Sequence, residues 1–79
     1  MFKLKIVTPE RIVHDGDAIS VLVPGVKGQF EILSGHAPII SALNPGTVDY
    51  ATSEGHQQLQ ITGGFVEVTK KVVNLCVEC

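Results

Sequence analysis

Tryptophan is missing from these 79 residues, aromatic side chains make up only 5% of them, and lysine plus arginine number six. Binding along a nucleic-acid backbone requires a basic surface, and binding of single strands also requires aromatic side chains on which bases stack. A chain with a formal net charge of −2 offers neither. Composition therefore excludes a nucleic-acid-binding function, and we expect no nucleic-acid partner.

Long apolar runs are also absent. No segment approaches the roughly 20 apolar residues of a transmembrane helix. Charged residues from Lys3 onward interrupt the start of the chain, where a secretory signal would need an apolar core. We therefore expect the chain to reach a membrane only through a protein partner.

Cysteine is scarce, because Cys76 and Cys79 are the only two. A redox motif places such a C-x-x-C pair at the start of a helix, and a zinc site needs a second pair of ligands. Here the pair follows residues 72–75, which have a strand pattern. Two reduced thiols of a cytosolic protein are the favoured interpretation. A C-terminal thiol or metal module is the alternative, and a disulfide between these two residues stays open.

Aliphatic residues are plentiful, and their spacing is that of strands. Alternation with a period of two recurs along the chain, whereas no stretch long enough for a helix has a 3.6-residue period. Asp15-Gly16 is predicted to be a turn, and Ile19 is predicted to lie on one face of a strand with Val21 and Val23. The strand candidates are residues 3–7, 11–14, 18–23, 29–33, 47–52, 58–62, 65–69 and 72–77, while 36–43 fits either a bulged strand or one helical turn.

These short, half-polar strands separated by turns predict one all-β domain over residues 1–79. Parallel strands buried on both faces would be continuously apolar, so the alternation favours antiparallel pairing. The expected fold is a flattened antiparallel β-sandwich or barrel of about ten short strands.

The segment from Val23 to Gly46 is dense in glycine and proline. Glycine permits positive φ and close backbone approach, and proline fixes φ. We interpret this segment as a set of tight corners shaped for contact with a partner, and the rest of the chain as its scaffold.

No pattern in the chain predicts catalysis, a metal or a cofactor. The three histidines are widely separated, Asp15-Gly16-Asp17 lacks the later ligands of a calcium loop, and Gly25–Gly28 lacks the spacing of a phosphate-binding loop. Ser34 next to His36 is not the oriented relay of a triad. His36 is interpreted as a turn residue bonded to local backbone, with a role in fixing the preceding corner as the alternative.

Three motifs in order carry a family resemblance. They are PGVKGQFEILSGHAPIISALNPG, then ITGGFVEV, then the final strand KVVNLCVEC, preceded by LKIVTPER. Together they cover essentially the whole chain and are similar to the N-terminal β-sandwich of the epsilon-subunit family of F-type ATP synthases, called delta in mitochondria.

The resemblance implies a ten-stranded sandwich in the central stalk, without chemistry of its own. It would bind the gamma subunit and the c-ring, couple ion-driven rotation to ATP synthesis, and meet the catalytic alpha/beta hexamer only indirectly. It implies a position at the cytoplasmic side of a bacterial inner membrane, or the stromal side of a thylakoid, held there by the complex.

The resemblance also assigns contact residues. The c-ring contact falls on Val26, Lys27, Gly28 and Gln29, with Glu31 and His36 close by. Some relatives carry an acid where this chain has Gln29, so a neutral hydrogen bond is expected there in place of an ion pair. The gamma contact is placed at Thr8, Pro9 and Glu10 and at Leu43, Asn44 and Pro45.

A further expectation concerns a domain that many members of the family have and these 79 residues do not. Many relatives continue into a two-helix C-terminal domain, and because these 79 residues contain no such hairpin, no inhibitory or ATP-sensing role is expected of them.

The alternative function is a small carrier domain of the lipoyl or biotinyl type. Neither Lys27 nor Lys70-Lys71 has the sequence context that such a carrier lysine requires.

Overall fold

Nine β-strands and no helix are present in the computed structural model, which describes residues 1–79. The all-β prediction is confirmed, with nine strands in place of about ten. The strands are β1 (Phe2–Val7), β2 (Ile12–Ala18), β3 (Ser20–Gly25), β4 (Gly28–Leu33), β5 (Ile39–Leu43), β6 (Gly46–Thr52), β7 (Gly55–Ile61), β8 (Gly63–Val68) and β9 (Val72–Glu78).

The alternating residues form the core because successive side chains of a strand point to opposite faces. In β1, Leu4 and Ile6 are fully buried while Lys3 and Lys5 point to solvent. In β9, Leu75 is fully buried, and burial alternates along the strand in the same way, with Asn74 and Cys76 on the other face only half-buried. The core is almost entirely aliphatic, with Phe2 and Tyr50 as its only aromatic members.

The strands form one curled sheet with the order β2-β1-β9-β8-β5-β3-β6-β7, and β4 pairs with the remaining edge of β3. The expectation of purely antiparallel pairing is wrong at one place, because β1 and β9 run parallel. The outer face of β1 is mostly exposed and that of β9 is half-buried, so these two strands alternate like antiparallel ones, and the sequence pattern alone does not distinguish the two cases. The β2 and β6 strands approach each other through side chains, with the His14 and Tyr50 rings 5.1 Å apart.

Two local expectations are corrected. Asp15-Gly16 is not a turn but lies inside β2, where Asp15 is opposite Lys5 and Gly16 is opposite Leu4. The chain instead changes direction at Ile19, whose amide donates to the Ala51 carbonyl at 2.7 Å and whose side chain is 47% exposed. Pairing along β1 outweighs the local turn preference of the dipeptide.

The ambiguous residues 36–43 form a strand from Ile39 onward. All five positions of β5 pair with β8, from Ile39 opposite Val68 to Leu43 opposite Gly64.

No helix of the protein is long and apolar enough to cross a membrane.

Candidate functional site

The β3–β4 hairpin presents residues 26–29, to which the family resemblance assigns a c-ring contact. Gly25 and Gly28 form its last pair, so Val26 and Lys27 are the turn residues. The positive φ of this turn falls on Gly28, at 129°, a conformation that side chains with a Cβ rarely adopt. Val26 is 49% exposed at the tip, so the turn offers an apolar and a cationic side chain side by side.

This tip is anchored to β5. The Val26 amide donates to the Ala42 carbonyl at 3.0 Å, and the Asn44 amide donates to the Pro24 carbonyl at 2.8 Å. Gly25 is packed so closely that a Cβ there would lie 2.8 Å from both the Gly28 carbonyl oxygen and the Phe30 ring. The corner is therefore held in one shape, as the glycine and proline content predicted.

Along β4, the predicted contact residues separate onto two sides. Gln29 and Glu31 are exposed, whereas Ile32 is buried and Phe30 half-buried. His36 lies on the Phe30 side, with the two ring centroids 6.4 Å apart, and its Nδ1 donates to the Ala37 carbonyl at 2.7 Å. The structure thus brings together residues 26–29, but it does not bring His36 to the Gln29 and Glu31 side chains.

A groove of about 520 Å³ lies between the hairpin and β5 and includes residues that sequence reasoning did not assign to a contact. Ile39 is 39% exposed and Ile40 is 72% exposed. The sequence pattern indicated an exposed isoleucine here, because two adjacent isoleucines in a strand cannot both point inward. The alternative of a helical turn over residues 36–43 does not lead to that expectation.

The predicted gamma contact at Thr8, Pro9 and Glu10 is the turn between β1 and β2. The Thr8 hydroxyl oxygen accepts hydrogen bonds from the Glu10 amide at 3.3 Å and from the Arg11 amide at 3.1 Å. The same hydroxyl donates to the Arg11 carbonyl at 3.2 Å. Pro9 and Glu10 are thereby presented on a fixed turn.

The second part of the predicted gamma contact, at Leu43, Asn44 and Pro45, is corrected at Leu43. Asn44 and Pro45 are exposed, but Leu43 is only 5% exposed and belongs to the core. Its side chain points inward because it continues the alternation of β5, so it packs in the core and is not part of the exposed surface. Leu43 pairs with Gly64, and Gly64 lines a hollow of about 350 Å³ together with Thr8 and Pro9.

Both cysteines are free thiols. Cys76 is half-buried on the outer side of β9, and Cys79 is exposed. The Glu78 carbonyl between them accepts a hydrogen bond from the Thr62 amide at 2.7 Å. The backbone is therefore still hydrogen-bonded to the segment next to it at Glu78, one residue before Cys79.

One polar cluster stands out on the β6–β7 hairpin. His56 Nδ1 lies 3.0 Å from one carboxylate oxygen of Asp49, and the Gln58 amide nitrogen donates to the other at 3.3 Å. These two hydrogen bonds, first that from His56 and then that from Gln58, lower the pKa of Asp49 from its ordinary value of 3.8. The cluster is on the exposed surface and holds the carboxylate in one orientation.

We expect His56→Ala to raise the pKa of Asp49 toward 3.8, because it removes the larger cause of the lowering. Since the folded-state pKa lies below the unfolded one, the stabilisation is present above pH 3.8 and is lost as the pH falls through the folded pKa. An NMR titration of the Asp49 carboxyl carbon measures this directly. Gln58→Ala is the matched variant with a smaller upward shift, and an unchanged Asp49 titration in His56→Ala would contradict the assignment.

Comparison with known proteins gives a family match over the whole chain. The family described as "ATP synthase, Delta/Epsilon chain, beta-sandwich domain" matches residues 1–79. The ATP synthase epsilon chain of Chlorobium limicola is 45% identical over 69 residues, which are 86% of this chain and 78% of that protein. ATP synthase epsilon chain 1 of Nitrobacter hamburgensis is 40% identical over 70 residues, which are 89% of this chain but 52% of that protein.

Solved structures are similar in fold at lower identity. A chain of the Euglena gracilis mitochondrial ATP synthase, from a structure of its OSCP, F1 and c-ring, superposes with a TM-score of 0.89 at 22% identity, covering 96% of this chain and 49% of that one. A chain of the Tetrahymena thermophila mitochondrial ATP synthase central stalk and c-ring gives a TM-score of 0.85 at 15% identity, covering 98% and 63%. The present chain thus spans about half to two thirds of these two chains.

Proposed function

The chain belongs to the β-sandwich domain family of the ATP synthase delta/epsilon chain, and from this membership we propose that it is a non-catalytic part of the ATP synthase central stalk. In this role it binds the gamma subunit and the c-ring and couples ion-driven rotation of the ring to ATP synthesis. The observation that carries the proposal is the family match over residues 1–79, supported by relatives of 45% and 40% identity that are ATP synthase epsilon chains.

We propose that the c-ring contact is the tip of the β3–β4 hairpin. Its support is the geometry of residues 26–29: an exposed turn with its positive φ at Gly28, joined to β5 by the hydrogen bond from the Val26 amide to the Ala42 carbonyl. A rotor adaptor must transmit torque without deforming, and a turn held in one backbone conformation loses little backbone entropy on binding. Glu31 extends this surface along β4, whereas His36 supports the hairpin from the side of Phe30.

We propose that gamma binds at the Thr8–Glu10 turn and at Asn44 and Pro45, together with the exposed Ile39 and Ile40. Support comes from the fixed geometry of the turn and from the exposure of the two isoleucines, at 39% and 72%. Contact with the catalytic alpha/beta hexamer is then indirect. The complex would hold the chain at the cytoplasmic side of a bacterial inner membrane, or at the stromal side of a thylakoid.

The test measures binding to purified gamma and to detergent-solubilised c-ring separately. We expect the double variant Val26→Ser, Lys27→Ser to weaken ring binding at least about tenfold while changing gamma binding by less than about twofold, because only the tip side chains are shortened. Both replaced residues have negative φ, so the turn should keep its conformation.

The matched control is Gln58→Ser, Gln60→Ser, two exposed positions on β7, which should leave both affinities unchanged. A well-folded wild-type chain without affinity for gamma would overturn the stalk function. Unchanged ring binding in the hairpin variant would overturn the assignment of the tip.

A further inference from the structure

The C-x-x-C pair lies where β9 ends, and its two thiols differ in position. Cys76 is inside the strand and half-buried, opposite Val7 on the β1 side and opposite Phe65 on the β8 side. Cys79 is exposed and directly follows Glu78, the last residue of the strand. Both thiols are free, and neither has a part in the proposed stalk function.

The extended backbone of β9 keeps the two cysteines too far apart for a disulfide. Val77 and Glu78, the residues between them, are both strand residues. Because a strand rises about 3.3 Å per residue, the Cα atoms of Cys76 and Cys79 are about 10 Å apart. A disulfide requires Cα atoms within about 7 Å, and four residues whose end Cα atoms come that close form a turn. A bond between these cysteines thus requires Val77 and Glu78 to leave the strand and become the centre of a turn.

Pairing with β8 opposes that change. Val77 lies opposite Gly64, and Glu78 lies opposite Gly63. The Glu78 carbonyl also accepts two hydrogen bonds from Thr62, from its amide at 2.7 Å and from its hydroxyl at 3.2 Å. Val77 is in addition a core residue, with 2% of its surface exposed. The paired end of β9 and the disulfide are therefore mutually exclusive states of the same residues.

We propose that Cys76 and Cys79 form a thiol–disulfide switch. In the reduced state β9 stays paired through Glu78, and in the oxidised state residues 77–78 separate from β8. A disulfide that must break native pairing is more easily reduced than a structural one, which is the property of labile, regulatory disulfides. In a reducing compartment the pair stays as two thiols, and an excess of a small-molecule disulfide oxidises it.

The oxidant is a low-molecular-weight disulfide such as glutathione disulfide. The exposed Cys79, as its thiolate, attacks one sulfur of glutathione disulfide, which forms a mixed disulfide and releases one glutathione. Cys76 then attacks the Cys79 sulfur, which forms the Cys76–Cys79 bond and releases the second glutathione. The two cysteines lose two electrons and two protons in total, and these end on the two glutathione thiols.

The released residues adjoin the proposed gamma contact. The hollow of about 350 Å³ that includes Thr8 and Pro9 is also lined by Cys76, Val77 and Glu78. Separation of residues 77–78 from β8 therefore changes one wall of that hollow. We expect oxidation to weaken the binding of gamma, and this consequence, unlike the switch itself, rests on the proposed function.

Titration with mixtures of reduced and oxidised glutathione, followed by alkylation of free thiols and mass measurement, gives the equilibrium constant for forming the disulfide. We expect this constant to be at least about tenfold smaller in the folded chain than in the chain unfolded in urea, because only the folded chain must give up pairing. Thr62→Ala removes one hydrogen bond to Glu78 and should raise the folded-state constant about two- to tenfold. Thr69→Ala is the matched control. The Thr69 hydroxyl donates to the Val72 carbonyl at 3.0 Å, at the opposite end of β9, so its removal should leave the constant unchanged.

Hydrogen exchange of the Thr62 amide reports the structural change, because its acceptor is the Glu78 carbonyl. In the oxidised chain this amide should exchange at least about tenfold faster than in the reduced chain. The Thr69 amide, bonded to the Val72 carbonyl, should keep its rate. Binding of purified gamma is then compared between the two states, with Cys76→Ser, Cys79→Ser as the variant that no longer responds to the oxidant.

Three results would each overturn the switch: equal constants in the folded and unfolded chain, a disulfide formed with the Thr62 amide still protected, or only a glutathione adduct on Cys79. Equal affinity of the oxidised and reduced chain for gamma would overturn the link to the gamma contact alone. If neither state binds gamma, the proposed stalk function and that link fail together, whereas the equilibrium and exchange results decide the switch independently.

Discussion

Gly64→Ala is expected to lower the free energy of unfolding by about 3–5 kcal/mol, because it combines backbone strain with a collision. Gly64 has a φ of 143°, which residues with a Cβ rarely adopt. A Cβ at this position would overlap the Cys76 carbonyl oxygen and lie 2.7 Å from the Val77 Cα. Both atoms belong to the backbone of β9, so neither can move aside without breaking the β8–β9 pairing.

The matched control is Gly55→Ala at the β6–β7 turn. Gly55 also has a positive φ, of 117°, but a Cβ there would meet nothing within 4 Å. It should therefore show only the backbone strain, about 1–3 kcal/mol. Urea unfolding followed by circular dichroism measures both variants, and equal losses in the two would show that the collision with β9 is relieved.

Leu75→Ala should lower the free energy of unfolding by about 3–5 kcal/mol through loss of buried surface and formation of a cavity. Leu75 has no exposed surface. It lies in β9, paired with Ile6 on the parallel side and with Val66 on the antiparallel side. Because the surrounding core residues are themselves strand residues in register, they cannot collapse far into the space.

Leu33→Ala provides the comparison for the same change in chemistry. Leu33 is 51% exposed, so its truncation should cost less than about 1 kcal/mol. Chemical denaturation of the two variants under one set of conditions gives the difference. A loss at Leu75 no greater than that at Leu33 would contradict the burial described for β9.

The candidate site was predictable where it depends on local chain geometry. Residues 26–29 form the corner expected from Gly25, Gly28 and the flanking prolines, since turn chemistry acts over a few residues. His36 forms the local backbone bond expected of a turn histidine. Its separation from Gln29 and Glu31 was not predictable, because it depends on which side of β4 the returning chain takes.

By itself, the sequence determined the all-β class, the inward and outward residues of most strands, and the family. These follow from a period-two pattern and from motifs, which are properties of neighbouring residues. The tertiary structure alone decided the parallel β1–β9 pair, the extension of β2 through Asp15-Gly16 and the burial of Leu43. Each of these depends on which strands pair and in which register, because ladder hydrogen bonds and core burial outweigh local turn and pairing preferences.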